Sequence, residues 1–320
     1  MKHELRVVGI LLIMFLLTQL IGLVVIDAYS PSKVIEIEKN GEIINKTVGG
    51  NATIPYGMEP PEIEPGLPSL GQFIIALVFA IIVYIILMKI RARSLLKMWF
   101  TIVVFLTLSI SLTAVLGKIF PSSGIRLDAV ALILAIPLTF YKVFKRDILV
   151  HNTTELLIYP GLAAVFVPIL NIWTTLVLLL LISIYDIYAV WKSKIMIKMV
   201  KYDIQNLKIF PGFLVPYLPG KEALKLKAAQ KIKTQKSKIA KLKKIKISTA
   251  MLGGGDVAFP LIFAGVIYRI GGLIPALIII AGSTLALLCL FAFTKKGKMY
   301  PAMPFISAGC LVGYLATLLI

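Results

Sequence analysis

Leu5 to Ile26, Leu70 to Met88 and Gly271 to Phe293 are almost unbrokenly apolar. Each run is long enough to cross ~30 Å of hydrocarbon as a helix rising ~1.5 Å per residue. Such runs leave a chain few options. In lipid each backbone amide and carbonyl must find a partner inside the protein, so the runs fold as membrane-spanning helices. Composition agrees: 59% of the 320 residues are hydrophobic and the mean hydropathy is +0.93, more apolar than a soluble core of this size needs. Length and flanking charge predict an all-α membrane protein with about nine spans, near 5–26, 70–88, 98–116, 128–144, 149–169, 172–191, 248–269, 272–293 and 300–320. The fourth, fifth and sixth are crowded, so their boundaries are the least defined. No internal repeat is visible, which weakens a transporter built from inverted repeats. The first run exceeds the ~7–15 apolar residues of a secretory signal, and Ile26-Asp27-Ala28 is a poor cleavage site; a retained first span is expected.

The net charge of +19 would suggest nucleic acid in a soluble protein. Here the cations lie between apolar runs, where orientation and lipid contact account for them. Lys2 and Arg6, the group Lys89, Arg91, Arg93 and Lys97, the group Lys142, Lys145 and Arg146, a long Lys-rich segment, and Lys295, Lys296 and Lys298 all fall on one side. The other side carries an acidic loop at 27–69, Lys118, Arg126, a turn near Asn171 and Arg269. The positive-inside rule then predicts a cytoplasmic N-terminus and an outside C-terminus. The chain divides into an N-terminal bundle of six spans (1–191), a cytoplasmic loop (192–247) and a C-terminal bundle of three spans (248–320).

Loop 27–69 opens with a β-prone stretch, Val34 to Ile44, and holds two triplets that fit glycosylation acceptors, at Asn45 and Asn51. In the cytoplasmic loop, Phe210-Pro211-Gly212 and Pro216 to Gly220 predict turns. Lys221 to Lys246 follows as a Lys-rich helical pattern with Ala228, Ile232, Ile239, Leu242 and Ile245 near one face. It reads either as a solvated linker or as a segment lying on anionic lipid. Its lack of aromatics argues against nucleic acid. Cys289 and Cys310 lie in apolar runs and read as packing residues. With His3 and His151 alone, no metal centre is expected.

A charge at mid-membrane costs at least ~2.5–3.5 kcal/mol. Asp27, Asp128, Asp147 and Glu155 are expected to avoid that cost at span ends. Asp186 and Asp256 do not. The sixth span enters the cytoplasm and the seventh leaves it, so counting ~1.5 Å per residue from Lys192 and Lys246 puts both carboxyls ~10–15 Å inside the boundary. Two such acids side by side cannot both ionise cheaply, so one keeps a proton while the other can take one from water. The same residues could serve a cation transporter or leak channel. Two features sit beside them. Gly253-Gly254-Gly255 removes side chains just before Asp256 and would admit a close backbone, or simply pack helices. Pro301-Ala302-Met303-Pro304 weakens helix at the start of the ninth span.

Tyr185-Asp186, Gly253-Gly254-Gly255-Asp256 and Pro301-Ala302-Met303 resemble, in order and in span, the Tyr-Asp, Gly-x-Gly-Asp and Pro-Ala-Leu motifs of the presenilin and signal-peptide-peptidase family. The resemblance spans the whole topology and is dense at 180–195, 250–262 and 299–309. Pro260 resembles the signal-peptide-peptidase branch, the N-in orientation resembles presenilin, and the small Lys-rich single chain resembles archaeal members. Met303 stands where the family usually has Leu. Prepilin peptidases share Gly-x-Gly-Asp but typically place Lys two residues on, where this chain has Ala258. The resemblance implies an intramembrane aspartyl endopeptidase that hydrolyses transmembrane segments of other proteins without a cofactor. It implies Asp186 and Asp256 as the catalytic pair, with Tyr185, Gly253, Gly255, Pro301, Ala302 and Met303 positioning an extended substrate.

Overall fold

The computed structural model describes residues 5–30, 33–39, 42–48, 67–121, 126–145, 147–193, 195–207, 209–217, 248–294 and 300–319. Lys221 to Lys246 and Asn51 lie outside the described residues. Among the described residues, nine apolar helices fall at the expected spans: α1 (Leu5–Tyr29), α2 (Leu67–Lys89), α3 (Arg93–Ile119), α4 (Leu127–Phe140), α5 (Ile148–Phe166), α6 (Ile172–Ile187), then, after a short α7 (Ile195–Tyr202), α8 (Gly254–Gly271), α9 (Leu273–Phe293) and α10 (Met303–Thr317). Among the described residues, seven helices are long and apolar enough to cross a membrane; α10 and the described apolar stretch Ile74–Lys89 of α2 are shorter. In the 27–69 loop the β-prone stretch forms a hairpin, β1 (Lys33–Lys39) antiparallel to β2 (Glu42–Val48), with Lys39 opposite Glu42.

The termini of the helices follow local chemistry. Asp147 caps α5 by accepting from the Leu149 and Val150 amides. Asn171 and Thr174 form a reciprocal box at the start of α6. Gly272 joins α8 to α9 at φ +82°, a conformation that L side chains rarely adopt.

The seventh span differs from expectation. Residues 248–253 are not helix but strand β4 (Ser248–Gly253), antiparallel to β3 (Gly212–Tyr217), with Gly212 opposite Gly253 and Tyr217 opposite Ser248. The turn expected at Phe210-Pro211-Gly212 leads into β3, whereas Pro216 and Tyr217, expected in a second turn, belong to β3 itself; residues 218–220 lie outside the described residues. Of the glycine run only Gly253 lies in β4, while Gly254 and Gly255 open helix α8; pairing with β3 satisfies the backbone of 248–253. Helix α8 therefore begins only at Gly254, and a depth count at ~1.5 Å per residue from Lys246 does not apply to Asp256.

A core formed by Phe15 of α1, Leu178 and Leu179 of α6, Phe213 of β3, Phe263 of α8 and Ile306 of α10 ties both bundles together. The inward face of the sheet belongs to this core, since Phe213, Val215, Ala250 and Leu252 are all buried.

Glu155 corrects a further expectation. It is not at a span end but buried within α5, 1% exposed, and it accepts from Lys142 Nζ at 2.5 Å. Lys142, expected in a loop, sits in a π turn that extends α4 from Tyr141 to Lys145 and is itself buried. Beside them, His151 Nε2 meets the Gly212 carbonyl at 2.8 Å, and the Asn152 amide both donates to and accepts from the Leu214 backbone. The first turns of α5 thus clamp β3.

Candidate active site

Three helix ends converge. Asp186 lies in the last turn of α6 and is 5% exposed. Its Oδ2 accepts from the Met303 amide at 3.1 Å, and the Ala302 amide also turns toward it. Those amides belong to the N-terminal end of α10, where unpaired N–H groups and the helix dipole favour an anion. The proline at 301 removes the donor that would otherwise precede them. One turn deeper, the Ser183 and Ser307 hydroxyls meet at 2.9 Å and hold α6 against α10.

Asp256 is the third residue of α8 and half-buried. Its carboxyl reaches back to the Gly253 amide, as an acid at that position of a helix commonly does. The two carboxyls lie within electrostatic reach of one another. Behind Asp256, Gln19 of α1 donates to the Val257 carbonyl at 3.0 Å and fixes the first turn of α8 from the opposite side.

The expected positioning residues are distributed around this pair. Tyr185 is exposed beside Asp186. Pro301 and Met303 are buried, and Ala302 is half-buried. The glycines differ from one another. A Cβ on Gly253 would sit 3.1 Å from Asp256 Oδ2, so its absence leaves room for the carboxyl. A Cβ on Gly254 would meet the Tyr159 hydroxyl at 2.7 Å. A Cβ on Gly255 would make only ordinary contact with Phe259. The close approach expected of this run is therefore by side chains, and the tight position is the middle glycine. Sequence reading did not single out Gly254, Tyr159, Gln19 or Ser307. The i, i+4 spacing of His151, Glu155 and Tyr159 was a readable signal for a polar stripe on α5.

Comparison with known proteins decides the family. The model of the family described as signal-peptide peptidase, presenilin aspartyl protease matches residues 60–320. The chain belongs to this family. It is accordingly an integral, multi-pass membrane protein and an intramembrane aspartyl protease, with transmembrane proteins as its substrate class. Two solved structures of a presenilin family intramembrane aspartate protease share the fold. The one in a C222 space group is 18% identical, covers 98% of this chain and 99% of its own, and superposes with a TM-score of 0.61. The one in a P2 space group is 19% identical, covers 99% of both chains and has the same TM-score, 0.61. Curated proteins offer no match. The cation transporter or leak channel reading finds no support in these comparisons.

Proposed function

We propose that Asp186 and Asp256 are the catalytic pair of this protease and share one proton. The observation that carries this reading is the convergence itself: Asp186 is held by the Met303 amide at 3.1 Å on one side and faces the Asp256 charge on the other. The ionised member of the pair takes a proton from water as that water attacks the scissile carbonyl. The neutral member protonates the leaving amine. The protons belong to the pair, and no single residue owns either role.

A peptide bond in a closed helix hides its amide, so the substrate must open near the pair. The outer edge of β3 is occupied at Leu214 by Asn152, whereas among the described residues no strand pairs with the outer edge of β4. That edge runs directly into Gly253 and Asp256, and an extended segment laid along it gains main-chain hydrogen bonds. Tyr185, Gly253, Gly255 and Pro301 to Met303 surround the same space and are assigned to substrate positioning. The loop charges support an orientation with the N-terminus in the cytoplasm, and Lys221 to Lys246 is assigned to anionic lipid of the inner leaflet.

The decisive experiment is cleavage of a defined transmembrane substrate by the purified protein and by Asp186→Asn and Asp256→Asn. Each substitution should abolish cleavage while thermal unfolding stays cooperative. Retained turnover in either folded variant rejects the pair.

A further inference from the structure

His151, Glu155 and Tyr159 repeat every fourth residue and so line one face of α5. All three are buried, at 8%, 1% and 5% exposure. The stripe begins at a cavity of about 550 Å³ on the outer face of the sheet, lined by Lys142, His151, Leu214, Thr249 and Met251 among others. It continues through the Lys142–Glu155 ion pair and ends at Tyr159, whose hydroxyl lies against Gly254, two residues before Asp256. Polar residues inside a membrane bundle are costly and mark function by default.

Tyr159 is held from the side by Phe213, edge to face with ring centroids 5.9 Å apart. Its hydroxyl is buried; among the described residues it meets no acceptor in full bonding geometry, and the Glu155 carboxyl lies within looser hydrogen-bonding reach. An unpaired buried hydroxyl costs about 1–3 kcal/mol, which calls for a reason. The charges that reach this hydroxyl are those of Glu155 on its own helix and Asp256 on α8. Behind them stand Lys142 and His151 on one side and Asp186 of α6 on the other. From α1 the neutral Gln19 faces the same turn, and from β3 only Phe213.

We propose that Tyr159 is a positioning residue for Asp256, its hydroxyl donating to that carboxylate when charged and coupling it to the Lys142–Glu155 ion pair. This rests on the reading of Asp186 and Asp256 as the catalytic pair. When Asp256 is neutral the hydroxyl is left to the Glu155 carboxyl. In the charged state it supplies a fixed donor in a site that excludes bulk water.

The test is Tyr159→Phe, which removes the oxygen and keeps the ring on Phe213. Full-length protein in liposomes should lose about three- to tenfold in kcat with KM unchanged, the equivalent of one lost hydrogen bond. The acidic limb of its pH profile should move up by about half a pH unit or more, because the charged carboxylate has lost a donor. A profile superimposable on the parent's overturns the proposal, and so does lower turnover with an unmoved limb, which is a packing effect. If turnover is too low to profile, the pH dependence of binding a peptide with a hydroxyl-bearing transition-state mimic is read instead; the same shift supports the proposal and its absence overturns it. Lys142→Met combined with Glu155→Gln should move the limb in the parent but not further in the presence of Tyr159→Phe; equal shifts in both overturn the coupling. Asp256→Asn assayed alongside separates the two readings. If it still turns over, the catalytic pair fails. If it is inactive and Tyr159→Phe is silent, only the present proposal fails.

Discussion

Asp186 and Asp256 bring two acids together at helix ends, whereas Lys142 and Glu155 bring a base against an acid at 2.5 Å. Both pairs lie among the packed helices, with α5 running between them, but they obey opposite rules. Like charges side by side resist full ionisation, and in the proposed catalytic role that resistance leaves a proton available for chemistry. The opposite charges compensate one another; with His151 and Asn152 this pair fastens β3 to α5. On the proposed reading, function sits where the fold tolerates repulsion, and stability where it cancels charge.

The largest effect expected from this contrast is on turnover. Asp256→Asn should reduce cleavage at least about a thousandfold while leaving the unfolding temperature unchanged or raised, because a like-charge contact has been relieved. Glu155→Gln should do the reverse. It leaves the Lys142 ammonium buried without its counter-charge, which costs about 3–5 kcal/mol. Adding Lys142→Met should recover most of that loss, since an apolar replacement for a buried ion pair is often neutral. Equal destabilisation by Asp256→Asn and Glu155→Gln would erase the distinction between the two pairs.

A smaller effect is expected where α6 meets α10. Ser183→Ala or Ser307→Ala should each destabilise by about 1–2 kcal/mol and lower kcat, because α10 carries the Met303 amide that holds Asp186. The double substitution should cost less than the sum, since no hydroxyl is then left unpaired. Additive losses would show that the two hydroxyls act independently of one another.

How much of this was legible depended on contrast within the sequence. Asp186 and Asp256 stand out because each interrupts an apolar run, and the glycines and prolines near them mark the motif. The apolar helices at the expected spans were legible for the same reason. Glu155 was hidden by proximity to Lys145 and Arg146, which suggested a span end. Only the π turn through Lys145 and the start of α5 at Ile148 bring Lys142 and Glu155, 13 residues apart, face to face inside the bundle. Strand β4 was hidden because Ala250, Met251 and Leu252 read as the opening of the seventh span. Its partner β3 lies more than thirty residues earlier, and pairing at that separation leaves no local trace. Tyr159 was hidden as one more aromatic in a helix; its meaning comes from Gly254, brought beside it by the fold.

The smallest effect concerns a half-buried acid that meets a neutral partner. Asp203, beyond α7, is half-buried, and its carboxylate accepts from the Tyr84 hydroxyl of α2. Burial pushes the Asp203 carboxyl above its ordinary 3.8, and the Tyr84 bond offsets only part of that rise. The folded state therefore binds this proton more tightly than the unfolded chain does. Its contribution to stability is fully present below the ordinary value of 3.8 and is lost as pH rises through the raised folded value. Asp203→Asn should flatten that decline, making thermal unfolding less dependent on pH in the mildly acidic range. Tyr84→Phe should steepen it, because the one contact that favours the charged carboxylate is gone. Cleavage by Asp203→Asn at a fixed neutral pH should change less than twofold, since Asp203 lines a cavity with Phe100, Leu207 and Ile209 that neither Asp186 nor Asp256 lines. An unchanged pH slope in Asp203→Asn would mean that this acid is solvated in the folded protein, and that burying a carboxyl beside a lone hydroxyl has no energetic consequence here.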